Sequence, residues 1–378
     1  MRILFLTSGT IKSSLSYRPL SFAKELVKNG HEVFIIAPRF DKYSNFIDEK
    51  VTLVDGVKII RPLQIKTSSF ELGLIPYIIS SIYLSFKLNP TIVHIFKPNP
   101  ITIGGLLLKL IKKTPVILDV DDLDSEVMKI ENNSKLKVKL VEISERIALR
   151  HSSGITVAST FLQKLYTKTN KPISRISNGA EFNVLKKQSA KSLLENTIVF
   201  IGNINRINIL EPLFYATQKL VNKKIKISVK IIGSGEYLNY FKKLAKKLKL
   251  EKNILFLGYV KQSELNKYIF PGDIGYSYMP NELTIKACSS MKVFQYMQFG
   301  AIPLVSNVGD FPLYVYQEKA GYIAKSNNID ALTETIQNTF ENKTKRIEKL
   351  TFGIENTKKD YQWSILSDKL EKFYKKLL

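Results

Sequence analysis

Five acidic side chains, Asp119, Asp121, Asp122, Asp124 and Glu126, fall close together at the end of the apolar run 115–120. Carboxylates at that density can receive a substrate hydroxyl or amine, or take a divalent cation through oxygen ligands. They could equally serve as an N-cap and first-turn acids facing a helix dipole, so the spacing leaves both readings open. A second group lies near residue 290. Ser289 and Ser290 precede a helical run at 291–299 with Lys292 in its first turn and Gln295 in the next, and Gly300 closes it. Two hydroxyls, the free N–H groups of a helix start and a lysine could hold a diphosphate. Lysine is unfavourable at that end of a helix dipole, and its presence there tips the reading toward function. Two small-residue turns complete the set: Thr7-Ser8-Gly9-Thr10, and Gly233-Ser234-Gly235-Glu236 after Ile231-Ile232. Glycines there let a phosphate or sugar approach the backbone. Neither GxGxxG nor GxxxxGK[ST] occurs, which argues against a standard nicotinamide or P-loop protein.

Ligands of open parallel sheets collect beyond the carboxyl ends of strands, so each group needs a strand before it and a helix after it. The pattern supplies both. Residues 2–7 read as a buried strand, Arg18-Pro19 opens a helix carrying Leu20, Ala23, Leu26 and Val27 at helical spacing, and Asn29-Gly30 stops it before a strand at 32–37. Strands at 91–96, 115–120, 154–158 and 173–177 follow, with helical stretches at 100–113, 136–150 and 160–166 between them. A polar, aperiodic stretch at 186–196 reads as a linker. Alternation then resumes with strands at 198–201, 225–232, 254–257, 274–278, 302–305 and 321–324. The expected architecture is α/β, with two doubly wound Rossmann-like domains, residues 1–185 and 186–378, facing a central cleft. The last helix is left free to pack back on the first domain.

Composition narrows the function. The 378 residues carry 57 Lys plus Arg against 33 acids, a net charge of +24, and only nine of the cations are Arg. Lysine is a solvated point charge without the planar fork that reads bases, so the surface suits diffuse attraction to a polyanion or an anionic membrane, and no specific nucleic-acid partner is expected. A lysine-rich composition with solvated helix faces is the plainer reading. One cysteine, Cys288, and three dispersed histidines leave no disulfide or histidine-rich metal site and fit a reducing, cytoplasmic setting. No signal peptide is expected, because the apolar run after Arg2 is too short. The apolar stretch 72–88 is marginal for a membrane span and reads as an edge helix, with membrane-surface contact as the alternative.

Several ordered segments carry a family resemblance across nearly the whole chain. They are "MRILFLTSG" with "RPLSFAKELVKNGHEVFIIAP", "PTIVHIFKPNP", "PVILDVDDLD", "ISNGAEF", "VKIIGSGEY", "ILFLGYV" and "SSMKVFQYMQFGAIPLVSN". In this order they resemble the retaining glycosyltransferases of the family 4 type, which have the GT-B fold. The resemblance implies a nucleotide-diphosphate sugar held mainly by the second domain, an acceptor held mainly by the first, no cofactor and no required metal. It also implies a front-face mechanism without a protein nucleophile. On it, Lys292 and Arg206 would stabilise the leaving diphosphate, aided by N–H groups at Ser290 and Gly235. Ser289 and Gly233 would belong to the same donor site, and Gln295 would hold the ribose. Gly9, Asp121 and Asp122 would line the acceptor or donor-sugar side, and Glu282 or Ser290 would replace a missing sugar contact.

The family's paired glutamates fall here on Ala287 and Gln295, and its diphosphate clamp falls near Asn203 and Asn208 with Arg206 between. The resemblance implies hexosyltransferase-like transfer to a glycan, polysaccharide or lipid-linked acceptor, as in polysaccharide biosynthesis, and the lysine excess with the apolar stretch 72–88 adds the expectation of a peripheral station on the inner face of the cell membrane. A nucleotide-sugar epimerase of the same fold, or a catalytically silent relative binding a partner or polyanion, are the alternatives.

Overall fold

The computed structural model describes residues 1–11, 13–39, 49–65, 70–182, 195–205 and 210–378. The expected linker lies almost wholly outside these residues, as do Arg206 and Asn208. Two compact units divide the chain: Met1–Ser177 with Trp363–Leu378, and Asn178–Gln362. The crossing thus stands earlier than the boundary expected at 185/186, and the final helix belongs to the first unit.

The first unit's strands are β1 (Arg2–Leu6), β2 (Glu32–Ile36), β3 (Val51–Val54), β4 (Val57–Ile60), β5 (Ile92–Phe96), β6 (Val116–Val120), β7 (Gly154–Val157) and β8 (Ile173–Arg175). They form one sheet in the order β3-β4-β2-β1-β5-β6-β7-β8, and every pair is parallel except β3 with β4. That hairpin is absent from the elements expected above. Its signal is Asp55-Gly56, both at positive φ (49° and 80°), as a two-residue turn between alternating strands requires.

Six helices follow in chain order: α1 (Tyr17–Lys28), α2 (Phe70–Leu88), α3 (Leu106–Lys112), α4 (Asp124–Ile130), α5 (Lys135–His151) and α6 (Thr160–Tyr166). Right-handed crossovers put α2, α3, α5 and α6 on one face of the sheet and α1 on the other.

In the second unit β9 (Thr197–Ile201), β10 (Ser228–Ile232), β11 (Ile254–Gly258), β12 (Ile274–Ser277), β13 (Ile302–Ser306) and β14 (Tyr322–Ala324) form a wholly parallel sheet. Its order, β11-β10-β9-β12-β13-β14, is the Rossmann order 3-2-1-4-5-6. The helices here are α7 (Glu211–Asn222), α8 (Leu238–Lys247), α9 (Leu283–Ala287), α10 (Met291–Gln298), α11 (Phe311–Tyr314), α12 (Ile329–Glu341) and α13 (Lys343–Tyr361). The chain then returns through α14 (Trp363–Lys375), which lies against α1. Trp363, Leu366, Leu370, Phe373 and Tyr374 join Phe5, Phe22 and Leu26 in the first unit's core.

A buried polar network runs through that core. Arg18, second residue of α1, grips Asp119 of β6 with two parallel hydrogen bonds, Nε to Oδ1 at 3.0 Å and Nη2 to Oδ2 at 2.9 Å. Its remaining N–H groups donate to the carbonyls of Ile176 (2.8 Å) and Ser177 (2.9 Å), where the chain leaves the unit. Thr156 Oγ1 donates to Asp119 Oδ2 at 2.7 Å. His94 stands 3.1 Å from that threonine and 2.6 Å from the Tyr374 hydroxyl of α14. Burial, with the Arg18 charge beside it, holds the His94 ring well below its ordinary pKa and therefore neutral.

Arg18→Met would leave Asp119 charged and buried without its partner, and should cost the first unit about 3–5 kcal/mol. Urea unfolding followed by the fluorescence of Trp363, the only tryptophan, measures this unit. Arg18→Met with Asp119→Leu together should cost less than Arg18→Met alone, because no orphaned charge remains.

Candidate functional site

The switch point of the second sheet lies between β9 and β12, where consecutive connections leave in opposite directions. Three features meet at its carboxyl edge. Gly202 follows β9 at φ 147°, and Gly233 follows β10 at φ 145°. A Cβ on Gly233 would stand 1.8 Å from the Gly202 carbonyl oxygen, so only glycine allows the two loops to touch. The third feature is Lys292 in the first turn of α10. Its Nζ lies 4.8 Å from the centre of the Phe200 ring, and a Cβ on Gly202 would come within 2.8 Å of its Cε and 3.2 Å of its Nζ. The ammonium is therefore held over the end of β9.

Tyr296 fixes the helix that carries it. This buried side chain, one turn beyond Lys292, accepts from the Ile201 N–H at 3.0 Å and donates to the Tyr276 carbonyl at 2.9 Å, tying α10 to β9 and β12. Its ring fills the space left by Gly275, where a Cβ would come within 2.2 Å of it. Burial pushes the Lys292 ammonium down to about 8, partly opposed by Cys288. Gln295 shares the half-buried face of α10 with Lys292.

Other expected donor-site residues take different places. Ser289 is buried, and its hydroxyl accepts from the Asn178 N–H and from the Tyr314 hydroxyl, both at 3.0 Å. It anchors the incoming chain. Ser290 is the N-cap residue of α10, half-buried, with no side-chain capping bond. The Gly233 N–H donates to the Gly258 carbonyl at 2.7 Å, so this glycine contributes close approach rather than an anion-binding N–H. Gly235 has a similar steric duty, since a Cβ there would meet the Ile204 carbonyl oxygen at 2.3 Å. Glu282 is exposed at the start of α9, and Ala287, in the position of the family's first glutamate, is wholly buried.

The first sheet repeats the geometry, with its switch point between β1 and β5. Gly9, in the loop after β1, is buried, and a Cβ there would meet Leu15 Cβ at 2.6 Å. Lys97, directly after β5, adopts a left-handed conformation with φ 59°. Its Nζ lies 3.1 Å from Asp121 Oδ1, 3.3 Å from Asp122 Oδ2 and 2.8 Å from Asp124 Oδ1.

The acidic loop thus divides by role. Asp119 belongs to the Arg18 network, Asp121 and Asp122 turn to Lys97, and Asp124 and Glu126 stand in the first turn of α4. Glu145 of α5 completes the start of that helix, accepting from the Ser125 N–H (3.1 Å) and hydroxyl (2.8 Å). Burial raises the carboxyl pKa of Asp122 and of Asp124, and neighbouring carboxylates add to the rise while Lys97 opposes it. Burial also works against the Lys97 charge, but the three carboxylates prevail and hold its ammonium well above the usual lysine range. Among the described residues no group of His, Cys, Asp and Glu is arranged to hold a metal ion. Lys97 and Tyr296 are absent from the residues expected from sequence. In the sequence Lys97 is simply the lysine that closes the strand "IVHIF", with no neighbour that names its partners.

Residues 19–183 match the family model described as Glycosyltransferase Family 4, and residues 181–360 match Glycosyl transferases group 1. No curated protein matches the chain in sequence. Among solved structures, the sucrose-phosphate synthase of Thermosynechococcus elongatus is 14% identical with a TM-score of 0.78, the match covering 100% of this chain and 99% of that one. Anabaena Alr3699/HepE in complex with UDP-glucose is 14% identical with a TM-score of 0.75, over 100% of both chains. The catalytic domain of starch synthase IV from Arabidopsis thaliana, bound to ADP and acarbose, is 13% identical with a TM-score of 0.73, over 100% of this chain and 99% of that one. Two family models that join end to end, on a pair of Rossmann-type sheets shared with these structures, establish that the chain belongs to the group 1, family 4 type of glycosyltransferases with the GT-B fold.

Proposed function

We propose that the enzyme is a retaining glycosyltransferase that moves a sugar from a nucleotide-diphosphate sugar to a glycan, polysaccharide or lipid-linked acceptor. The observation that carries the reading is Lys292, placed over the carboxyl end of β9 beside the Gly202–Gly233 contact. A diphosphate lying there would meet one ammonium and the N–H end of α10. As the bond from the sugar's anomeric carbon to the diphosphate breaks, negative charge grows on the leaving oxygen, and these groups stabilise it without a metal. Gln295, on the same helix face, reaches the ribose. UDP-glucose in the Anabaena structure and ADP in the Arabidopsis one support a nucleoside diphosphate as the recognised unit.

The first unit supplies the acceptor side, with Asp121 and Asp122 accepting hydrogen bonds from sugar hydroxyls. In the proposed front-face step the acceptor oxygen bonds to the anomeric carbon on the side the diphosphate leaves, and the acceptor proton passes to the departing phosphate oxygen. No protein nucleophile takes part. The +24 charge supports a station on the cytoplasmic, anionic face of a membrane, close to lipid-linked acceptors. No described helix is long and apolar enough to cross one.

A thermal-shift panel of UDP, GDP, ADP, CMP and dTDP tests the donor site. One nucleotide at about 100 times its Kd should stabilise by ~2.7 kcal/mol, a shift of a few degrees, with or without Mg²⁺. Lys292→Ala should remove most of that shift, and a panel with no response would sink the reading.

The depressed pKa of Lys292 sets the pH dependence. The ammonium is charged below about 8 and neutral above it, so affinity for the selected nucleotide should fall several-fold as pH rises through that value. Lys292→Arg, which stays charged, should flatten the fall. Calorimetric titration from about pH 7 to about pH 9.5 reads both slopes.

A further inference from the structure

We infer that the outer face of the α2–α3–α5 layer is the surface on which this enzyme lies against anionic lipid. The inference rests on the membrane station proposed above and names the face that would make it.

On α5, Leu136, Leu140, Ile143 and Ile147 are 70%, 44%, 40% and 40% exposed. At 100° per residue these four positions fall in one narrow stripe, while Val138, Val141 and Ala148 turn inward. Lys135, Lys139, Arg146 and Arg150 occupy the row beside the stripe, and all four are exposed. The acid in that row, Glu142, is paired with Lys129 at 3.0 Å, and Glu145 is turned to Ser125.

The stripe is not isolated. Ile75, Ile79 and Tyr83, at i, i+4 and i+8 of α2, are 52%, 65% and 64% exposed, and Leu110 and Ile111 of α3 are 55% and 65% exposed. The three helices form one layer. Lys112 of α3 reaches the Phe86 carbonyl and Asn89 beside the end of α2 at 3.2 and 2.8 Å, and Lys109 reaches the Ser152 carbonyl just beyond α5 at 3.0 Å.

An apolar stripe flanked by a row of lysines and arginines on α5, continued by exposed apolar side chains on α2 and α3, fits a bilayer surface: the apolar groups enter the acyl boundary and the cations meet lipid phosphates. A nucleic acid would use the cations and leave the ridges in water. A second copy of this chain would set one cationic row against another. Charge complementarity therefore selects anionic lipid.

Flotation of the intact enzyme with phosphatidylglycerol vesicles, and with phosphatidylcholine vesicles as control, tests this. Wild type should float with the anionic vesicles only, and added salt should weaken the association. Leu140→Glu with Ile143→Glu should lower the bound fraction at least about tenfold, with circular dichroism unchanged because both side chains are exposed. Lys246→Glu with Lys247→Glu, on the lysine face of α8 in the second unit, should leave flotation nearly intact. If wild type floats and the Leu140/Ile143 variant floats equally, this face is wrong while the membrane station stands. If wild type floats with neither vesicle, the station itself fails. If sedimentation shows a wild-type dimer that the Leu140/Ile143 variant abolishes, the surface joins two copies and the lipid assignment is overturned.

Discussion

Everything the first unit presents at its carboxyl edge hangs on the buried contact between Arg18 and Asp119. Two charges removed from water are held there only because each is saturated. The guanidinium meets one carboxylate and two carbonyls, and the carboxylate meets the guanidinium and Thr156. The contact does three positional jobs at once. It sets the end of β6, from which the acidic loop springs, it fixes the carbonyls of Ile176 and Ser177 where the chain departs, and through Thr156 and His94 it reaches Tyr374 on α14. A hydrophobic pair of equal volume could match its stability, but it would make none of the hydrogen bonds that join these four separate segments.

The two switch points use opposite electrostatics on the same backbone plan. In the second unit a single lysine, weakened by burial, stands above glycines that bring the main chain close, an arrangement ready for a compact anion. In the first, three carboxylates surround one lysine and leave an excess of acceptors, ready for hydroxyl groups. That division of labour suits a reaction in which charge leaves with one product while a neutral alcohol arrives.

How legible this was in the sequence depends on the range over which each feature is decided. The strand–helix alternation and the order of the loops are local, and the apolar periods of "RILFLT" or "LSFAKELV" reveal them directly. Lys292 was visible because a cation in a helix's first turn is locally unfavourable. Asp121 and Asp122 were visible as acids at a strand end, but their separation from Asp119 was not, since that is decided by Arg18 a hundred residues away. Lys97 was hidden for the same reason: its partners come from the next strand's loop. The β3–β4 hairpin is absent from the sequence reading although Asp55-Gly56 marks its turn, because its strands are too short to stand out. Ser289 and Gly233 had the right residue types and other duties, because a hydroxyl or an N–H at a loop cannot declare which partner it will find.

The placement of α14 has a consequence for the order in which the molecule is made. The first unit begins the chain, yet Trp363, Leu366, Leu370, Phe373 and Tyr374 of its core are translated only after the whole second unit. A nascent chain therefore carries an unfilled hollow beside Phe22 and Leu26 while some 185 residues of the other unit emerge. The second unit, contiguous from Asn178 to Gln362, has no such wait. It can close first on the ribosome, and the N-terminal half is completed last, when the C-terminal helix arrives to seal it.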